Sequence, residues 1–296
     1  MNSILVSVII PTYNDWNRLS LCLNALSGQT FSKDGFEVIV VNNNPDDTTP
    51  SELAFNDNCK IITENKPGSY AARNAALKIA KGKIIGFTDS DCIPDHNWIT
   101  NAVEYLSNDK TCSRIAGKVS IFFQSAKPTI AELYDKVFAF DQRGYVISSG
   151  TGVTANLFTY KDVFDKVGLF DENLMSGGDF KWGTDAHKKG FKIKYVETVI
   201  VKHPARRTVE DLVKKEKRVG GNQAIFLGKK NNTLLNIFEF IKELRPRKSM
   251  VKLVLKRGND LTFNNKAHIL LLRHYLYFVR AYAKLQVQAG KKANRA

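Results

Sequence analysis

The chain reads as an α/β fold with mostly parallel strands, and three patterns carry that prediction. Four apolar runs, LVSVII (5–10), FEVIVV (36–41), KIIT (60–63) and KIIGFT (83–88), show no polar alternation. Such runs suit strands covered on both faces, as in a parallel sheet. The segments between several of them carry apolar residues at helical spacing, and a strand–helix alternation implies right-handed crossovers. Each run also ends in a polar loop, and ligands of open parallel sheets bind outside the carboxyl ends of the strands.

The elements follow in order. After the first run, Leu19, Cys22, Leu23 and Leu26 stand at i, i+3, i+4 and i+7, and Gly28 ends that helix. Ser69 is a candidate cap for a helix over 71–81 that Gly82 closes. A third helix is expected over 95–107, with Ile99, Ala102, Val103 and Leu106 on one face and Asp95 as its cap. Next come a strand over RIAGKVSIFF (114–123), a helix near 130–141, a Gly/Ser/Thr loop over 148–154 and the β-type NLFTY (156–160). A strand-like KIKYVETVIV (192–201) precedes His203-Pro204, after which the texture turns helical. Thr208-x-x-Asp211 matches a capping box ahead of a Lys-rich amphipathic stretch, Pro246 breaks the chain, and 267–288 reads as a final long helix.

With 296 residues, 43% hydrophobic and 25% charged, the chain can bury a large core, which excludes collagen-like, low-complexity and disulfide-scaffold classes. Cys22, Cys59, Cys92 and Cys112 contain no C-x-x-C pair and read as reduced thiols of a cytosolic protein. The apolar run at 4–10 lacks a basic leader and reads as a buried strand rather than a signal peptide. No run approaches the roughly 18 apolar residues of a membrane span. The nearest, 268–282, is interrupted by Arg273, His274 and Arg280. The net charge of +15 is uneven: residues 1–203 hold 22 Lys+Arg against 23 Asp+Glu, and residues 204–296 hold 22 against 6. The chain thus divides into a near-neutral domain over 1–207 and a basic α-helical region over 208–296.

The four strand ends read PTYN (11–14), NNNP (42–45), ENKPG (64–68) and DSD (89–91), and together they form one polar rim. Asp89 and Asp91, one residue apart at an extended end, can project the same way. One can bind a divalent cation while the other takes a ribose hydroxyl or a metal-bound water, and hard oxygen ligands favour Mg²⁺ or Mn²⁺. The plainer reading is a solvated acidic turn before a helix.

At this point the motifs decide between the readings. SVIIPTYN, EVIVVNNNPDD, PGSYAARNAAL and GKIIGFTDSDCIPDHNWI, followed in order by TGVTANLF, VGLFDE, SGGDFKWG and VIVKHPAR, closely resemble the inverting family 2 glycosyltransferases of GT-A fold over roughly residues 4–207. The resemblance implies a Rossmann-like, mostly parallel mixed sheet flanked by helices, and a nucleotide-sugar donor along the strand-end rim. It places Thr12 and Tyr13 near the nucleobase and ribose, Asn43 at a uracil-type edge, Arg73 at the base or phosphates, and Asp89 at the ribose. Asp91 would hold the metal bridging the diphosphate, and His203 matches a further metal ligand. Asp179 matches the catalytic base, which removes the proton of an acceptor hydroxyl as its bond to C1 forms. Asn156 would face the cleft on the acceptor side, whereas Trp182 and Trp98 read as packing residues, with stacking of Trp182 on an acceptor sugar as the alternative. Cys92, alternating away from Asp91, reads as a buried thiol.

Five positions depart from the pattern. Gly178 precedes Asp179 where many relatives carry Glu, Lys181 and Thr184 stand near positions that are often acidic and Arg, and Asn42-Asn43 replaces a common aspartate pair. A UDP-sugar is the expected donor, with guanosine and thymidine as the alternative bases. Gly150-x-Gly152-x-x-Ala155 formally fits a dinucleotide fingerprint, but the β-type NLFTY follows where that fingerprint requires a helix.

The basic region fits an anionic membrane surface, a lipid-linked or other anionic acceptor, or a solvated lid; nucleic acid fits its charge, but no recognition motif supports it. The expected location is cytoplasmic, peripheral at the inner face of the plasma membrane. The expected activity is hexosyl transfer in polysaccharide, glycolipid or cell-envelope glycan synthesis. Two other classes compete: a sugar nucleotidyltransferase, which usually has a Gly-rich loop that PTYNDWNR lacks, and a non-catalytic sugar or nucleic-acid binding module.

Overall fold

A computed structural model describes residues 4–227, 233–245 and 247–292. The four apolar runs form β1 (Val6–Thr12), β2 (Phe36–Asn42), β3 (Cys59–Thr63) and β4 (Ile84–Thr88). β1 pairs parallel with both β2 and β4, and β2 pairs parallel with β3. Every residue of β1, β2 and β4 is buried, which is why their side chains need no polar alternation. Four further strands complete the sheet: β5 (Ile93–Pro94), β6 (Arg114–Phe122), β7 (Asn156–Tyr160) and β8 (Ile193–Pro204). The order is β3-β2-β1-β4-β7-β6-β8-β5, and the pairs β4–β7, β6–β7 and β5–β8 are antiparallel. The sheet is mixed, and its parallel part is the part that carries the four polar strand ends.

The helices of the first half differ from expectation mainly at their ends. α1 (Trp16–Ser27) buries Leu19, Cys22, Leu23 and Leu26, the predicted stripe, and stops at Gly28. α2 (Ser69–Ile79) is capped by Gly68 rather than Ser69. Gly68 has φ 118°, a conformation that glycine alone adopts without strain, so the turn from β3 into α2 depends on it. The helix ends at Ile79 with Ala80 as its C-cap, two residues before the predicted end. Gly82 serves another purpose: a Cβ there would lie 2.4 Å from the Ser7 backbone nitrogen of β1. α3 (Trp98–Asn108) starts at Asn97, and the carboxylate of Asp95 accepts the Asn97 N–H at 3.1 Å, organising the turn rather than capping the helix. The helix expected near 130–141 is α4 (Ile130–Phe138), which stops where Phe140 takes φ 47°; a further, unexpected helix, α5 (Gln142–Ser149), follows, capped by Asp141 accepting from Gly144 N–H. α6 (Asp162–Val167) and α7 (Gly178–Lys188) lie between β7 and β8. The last third forms α8 (Val209–Leu227), α9 (Thr233–Glu243), α10 (Lys248–Arg257) and α11 (Phe263–Gln288). Thr208 and Asp211 make the predicted cap of α8, with the Asp211 N–H donating to the Thr208 hydroxyl at 3.1 Å. The predicted break at Pro246 lies outside the described residues.

The chain divides into two compact units. The first comprises residues 1–120, 140–173 and 178–203. Its core joins Val8 and Ile10 of β1, Leu19 and Leu26 of α1, Trp98, Ile99 and Leu106 of α3, and Phe158 of β7. Trp98 and Phe158 pack with ring centroids 4.5 Å apart. Burying each such side chain contributes about 1.5–3 kcal/mol, so this cluster holds the helices to the sheet. The second unit comprises residues 121–139, 174–177 and 204–296. Tyr134 and Val137 of α4, Leu212 of α8, Val254 of α10, and Ile269 and Leu276 of α11 form its core. Arg206 pairs with Asp135 at 3.0 Å and Lys284 with Glu243 at 2.7 Å, and Arg280 pairs with Glu216.

Candidate active site

The rim starts where β1 stops. Thr12 is buried and its hydroxyl has no hydrogen-bond partner among the described residues, whereas Tyr13 beside it is 53% exposed. Asn14 follows in the left-handed region at φ 51°, where asparagine is tolerated, and its Oδ1 accepts from Asn44 Nδ2 at 2.7 Å. The tips of β1 and β2 are thereby tied together.

Asn43 has a structural role that its sequence context does not show. It is buried; its Nδ2 donates to the Glu64 and Lys66 carbonyls, both at 2.8 Å, and its Oδ1 accepts the Gly68 N–H at 2.6 Å. Both amide protons and one lone pair of the carbonyl thus clamp the β2 tip to the loop that launches α2. Asn42 is similarly engaged, donating to the Asp47 carbonyl at 2.6 Å and accepting the Asn44 N–H at 3.0 Å.

At the end of β4, Asp89 pairs with the guanidinium of Arg73, which is buried on α2. Asp91 Oδ2 lies 3.3 Å from His203 Nε2 and 3.7 Å from Arg18 of α1. His203 is buried at the end of β8, its ring centroid 4.6 Å from that of Phe140. Asp15 braces the turn by accepting from Ser90 Oγ at 2.9 Å and from Arg18 Nε at 2.7 Å. Ligand atoms of Asp89, Asp91 and Cys92 all lie within 4.8 Å of one another. Burial, reinforced by Asp89 and Asp91, pushes the Cys92 thiol well up. Carboxylate oxygens are hard donors of the kind Mn²⁺ or Mg²⁺ takes, and the imidazole of His203 stands beside the carboxylate of the pair that belongs to Asp91.

Asp179 sits in the first turn of α7 and is buried. Its Oδ1 accepts from the Tyr70 hydroxyl and the Phe180 N–H, both at 3.0 Å, and its Oδ2 accepts a longer contact from the Thr154 N–H at 3.4 Å. Burial raises the proton affinity of this carboxyl above the ordinary aspartate value, against the lowering influence of Arg73 and the three donors. A carboxylate so placed is a better proton acceptor than an exposed one. Helix α2 links the two halves of the site. Tyr70 holds Asp179 and Arg73 holds Asp89, and residues three apart share one helix face.

Asn156 departs from its expected place at a cleft, and Trp182 follows its packing reading rather than the acceptor-stacking alternative. Asn156 is fully buried on β7, where its Nδ2 donates to the Lys118 and Val199 carbonyls at 2.8 and 2.9 Å and its Oδ1 accepts from Trp98 Nε1 at 2.9 Å. It stitches strands and does not face a cleft. Trp182 stacks on Phe164 at 4.4 Å, donates to the Gly168 carbonyl at 2.8 Å and is 3% exposed, so no face is free for a sugar. Sequence reasoning missed Tyr70, Arg18 and Asp15. The local signal for Tyr70 was its place three residues before Arg73, at the start of a helix launched from a strand end.

The sequence matches Glycosyl transferase family 2 over residues 7–167, more than half of the chain. The glycosyltransferase AglE of Haloferax volcanii is 37% identical over 224 residues, covering 74% of this chain and 72% of that protein. The chain belongs to glycosyltransferase family 2. A second relative of this family 2 enzyme, from Methanococcus voltae, is 22% identical over 252 residues, covering 79% of this chain and 78% of that protein. It is named as a dolichyl N-acetyl-α-D-glucosaminyl phosphate 3-β-D-2,3-diacetamido-2,3-dideoxy-β-D-glucuronosyltransferase. Among solved structures, the Pyrobaculum calidifontis mannosyltransferase PcManGT, in complex with GDP-Man and Mn²⁺, aligns with TM-score 0.55 at 19% identity, over 99% of this chain and 77% of that one. S. aureus TarS 1–349 in complex with UDP-GlcNAc aligns with TM-score 0.54 at 18% identity, over 97% and 91%. The family 2 glycosyltransferase described here thus has the GT-A fold.

Proposed function

We propose that this family 2 glycosyltransferase is a metal-dependent, inverting enzyme that moves a sugar from a nucleoside diphosphate to a hydroxyl acceptor in glycan or cell-envelope synthesis. One observation carries the reading: α2 holds Asp89 of the β4 tip through Arg73 and Asp179 of α7 through Tyr70, side chains one turn apart, so one helix serves both a diphosphate site and a proton acceptor. The nucleotide lies along the rim by Thr12 and Tyr13, with Asp89 and Arg73 near the ribose and phosphates. Asp91 and His203 hold the cation, with Asp89 beside them. When bound, that ion offsets the charge growing on the departing diphosphate. Asp179 takes the acceptor hydroxyl proton while the acceptor oxygen bonds to C1 and the C1–phosphate oxygen bond breaks. Attack from the face opposite the leaving group inverts the anomeric centre. The Mn²⁺ and nucleotide sugars bound by the two solved neighbours support this assignment.

We assign catalysis to residues 1–207 and contact with an anionic membrane surface to the basic region over 208–296. The M. voltae relative acts on a dolichyl phosphate-linked sugar, which favours a lipid-linked acceptor here. Each Lys or Arg near an anionic surface contributes about 1 kcal/mol, and residues 204–296 carry 22 against 6 acids. No helix among the described residues is long and apolar enough to cross a membrane.

Two experiments test this. A screen of UDP-, GDP- and dTDP-sugars with Mn²⁺ and a lipid-phosphate-linked sugar should show nucleoside diphosphate release with at least one donor; release with none contradicts the reading. The full chain should pellet with phosphatidylserine vesicles at low salt and be released as ionic strength rises. Equal pelleting with neutral vesicles would contradict the electrostatic attachment.

A further inference from the structure

The contacts of Asp179 are unequal, and the difference traces to one side chain. Oδ1 is saturated by the Tyr70 hydroxyl and the Phe180 N–H, whereas among the described residues Oδ2 receives only the Thr154 N–H at 3.4 Å. Tyr70 is itself fixed. It is 5% exposed, its ring lies 5.7 Å from that of Phe170, and the Arg73 guanidinium sits 5.8 Å from its centroid. Residue 178 is the other half of the arrangement. A Cβ on Gly178 would stand 2.7 Å from a ring carbon of Tyr70, with two more ring carbons within 2.9 Å. No side chain fits at 178 while Tyr70 occupies this place. The departure from the family pattern at 178 is therefore coupled to the tyrosine.

Resting on the assignment of Asp179 as base, we infer that Tyr70 is its positioning residue. The hydroxyl of Tyr70 pins Oδ1, leaving Oδ2 as the oxygen that takes the acceptor proton, and bare Gly178 is what admits the ring. Burial keeps the phenol protonated, so it donates rather than competes for the proton. Among the described residues, the titratable or charged groups acting on Asp179 are Tyr70 and Arg73, both on α2; its other partners are backbone N–H groups. A donor to the ionised form favours that form, so removing the hydroxyl raises the proton affinity of Asp179.

The test is Tyr70→Phe, measured as kcat, donor KM and the pH profile of kcat/KM, with a thermal melt as the folding control. The expected result is a drop in kcat of about tenfold, an unchanged donor KM, and an acid limb displaced upward by about one pH unit. Loss of packing alone would not move that limb. Gly178→Ala provides a second approach, because its added methyl displaces the ring without touching the hydroxyl. It should shift the limb in the same direction, and it decides the matter if Tyr70→Phe does not fold. A folded variant of either kind with kcat and acid limb unchanged, while Asp179→Asn is inactive, overturns the role of Tyr70 alone. Full activity in Asp179→Asn overturns the underlying base assignment instead.

Discussion

Replacing Asp179 with asparagine lowers kcat by a factor on the order of 10² or more while nucleoside diphosphate binding persists. The amide carbonyl can take the place of Oδ1 and keep the bonds from Tyr70 and Phe180, so α7 starts as before. The amide nitrogen then stands where Oδ2 was, and it cannot accept a proton. Only the long contact from Thr154 is lost on that side, which limits the structural cost. Because burial raises the carboxyl above the ordinary aspartate value, wild-type kcat/KM should fall as pH drops through that raised value. The acid limb should be missing from the residual activity of the variant. Release of nucleoside diphosphate, followed with pH for both proteins, checks each point. Unchanged turnover removes Asp179 from the mechanism.

Much of this architecture is visible in the chain before any coordinates. The strands β1, β2 and β4 are legible because burial on both faces removes polar alternation, and α1 is legible because a single buried stripe sets its period. The DSD tip and SGGD stand out only through the resemblance to the family, since taken alone they also read as a solvated acidic turn and a helix start. What escapes is whatever depends on partners far along the chain. Asn43 shows nothing of its clamping role until its two carbonyl acceptors, 21 and 23 residues downstream, are in place. Asn156 looks like a cleft residue until Trp98, 58 residues earlier, claims its oxygen. The break at Phe140 carries no glycine or proline to announce it. Tyr70 falls inside a recognised motif, yet nothing local says that its hydroxyl reaches a carboxylate 109 residues away.

Asp91→Ala has the second large expected effect, and it reaches the cation directly. The substitution deletes the carboxylate that His203 and Arg18 face, leaving Asp89 occupied by Arg73. The Arg73–Asp89 pair and the clamp of Asn43 are untouched, so the rim keeps its shape. A ligand at 100 times its dissociation constant stabilises the folded protein by about 2.7 kcal/mol, and all of that should vanish. The decisive measurement is the melting temperature of wild type and Asp91→Ala with UDP, GDP or dTDP, each with and without Mn²⁺. Wild type should melt higher with at least one nucleotide only when the cation is present, and the variant should show no rise with any. An equal rise in both proteins, or one independent of Mn²⁺, would contradict a cation-bridged diphosphate at the tip of β4.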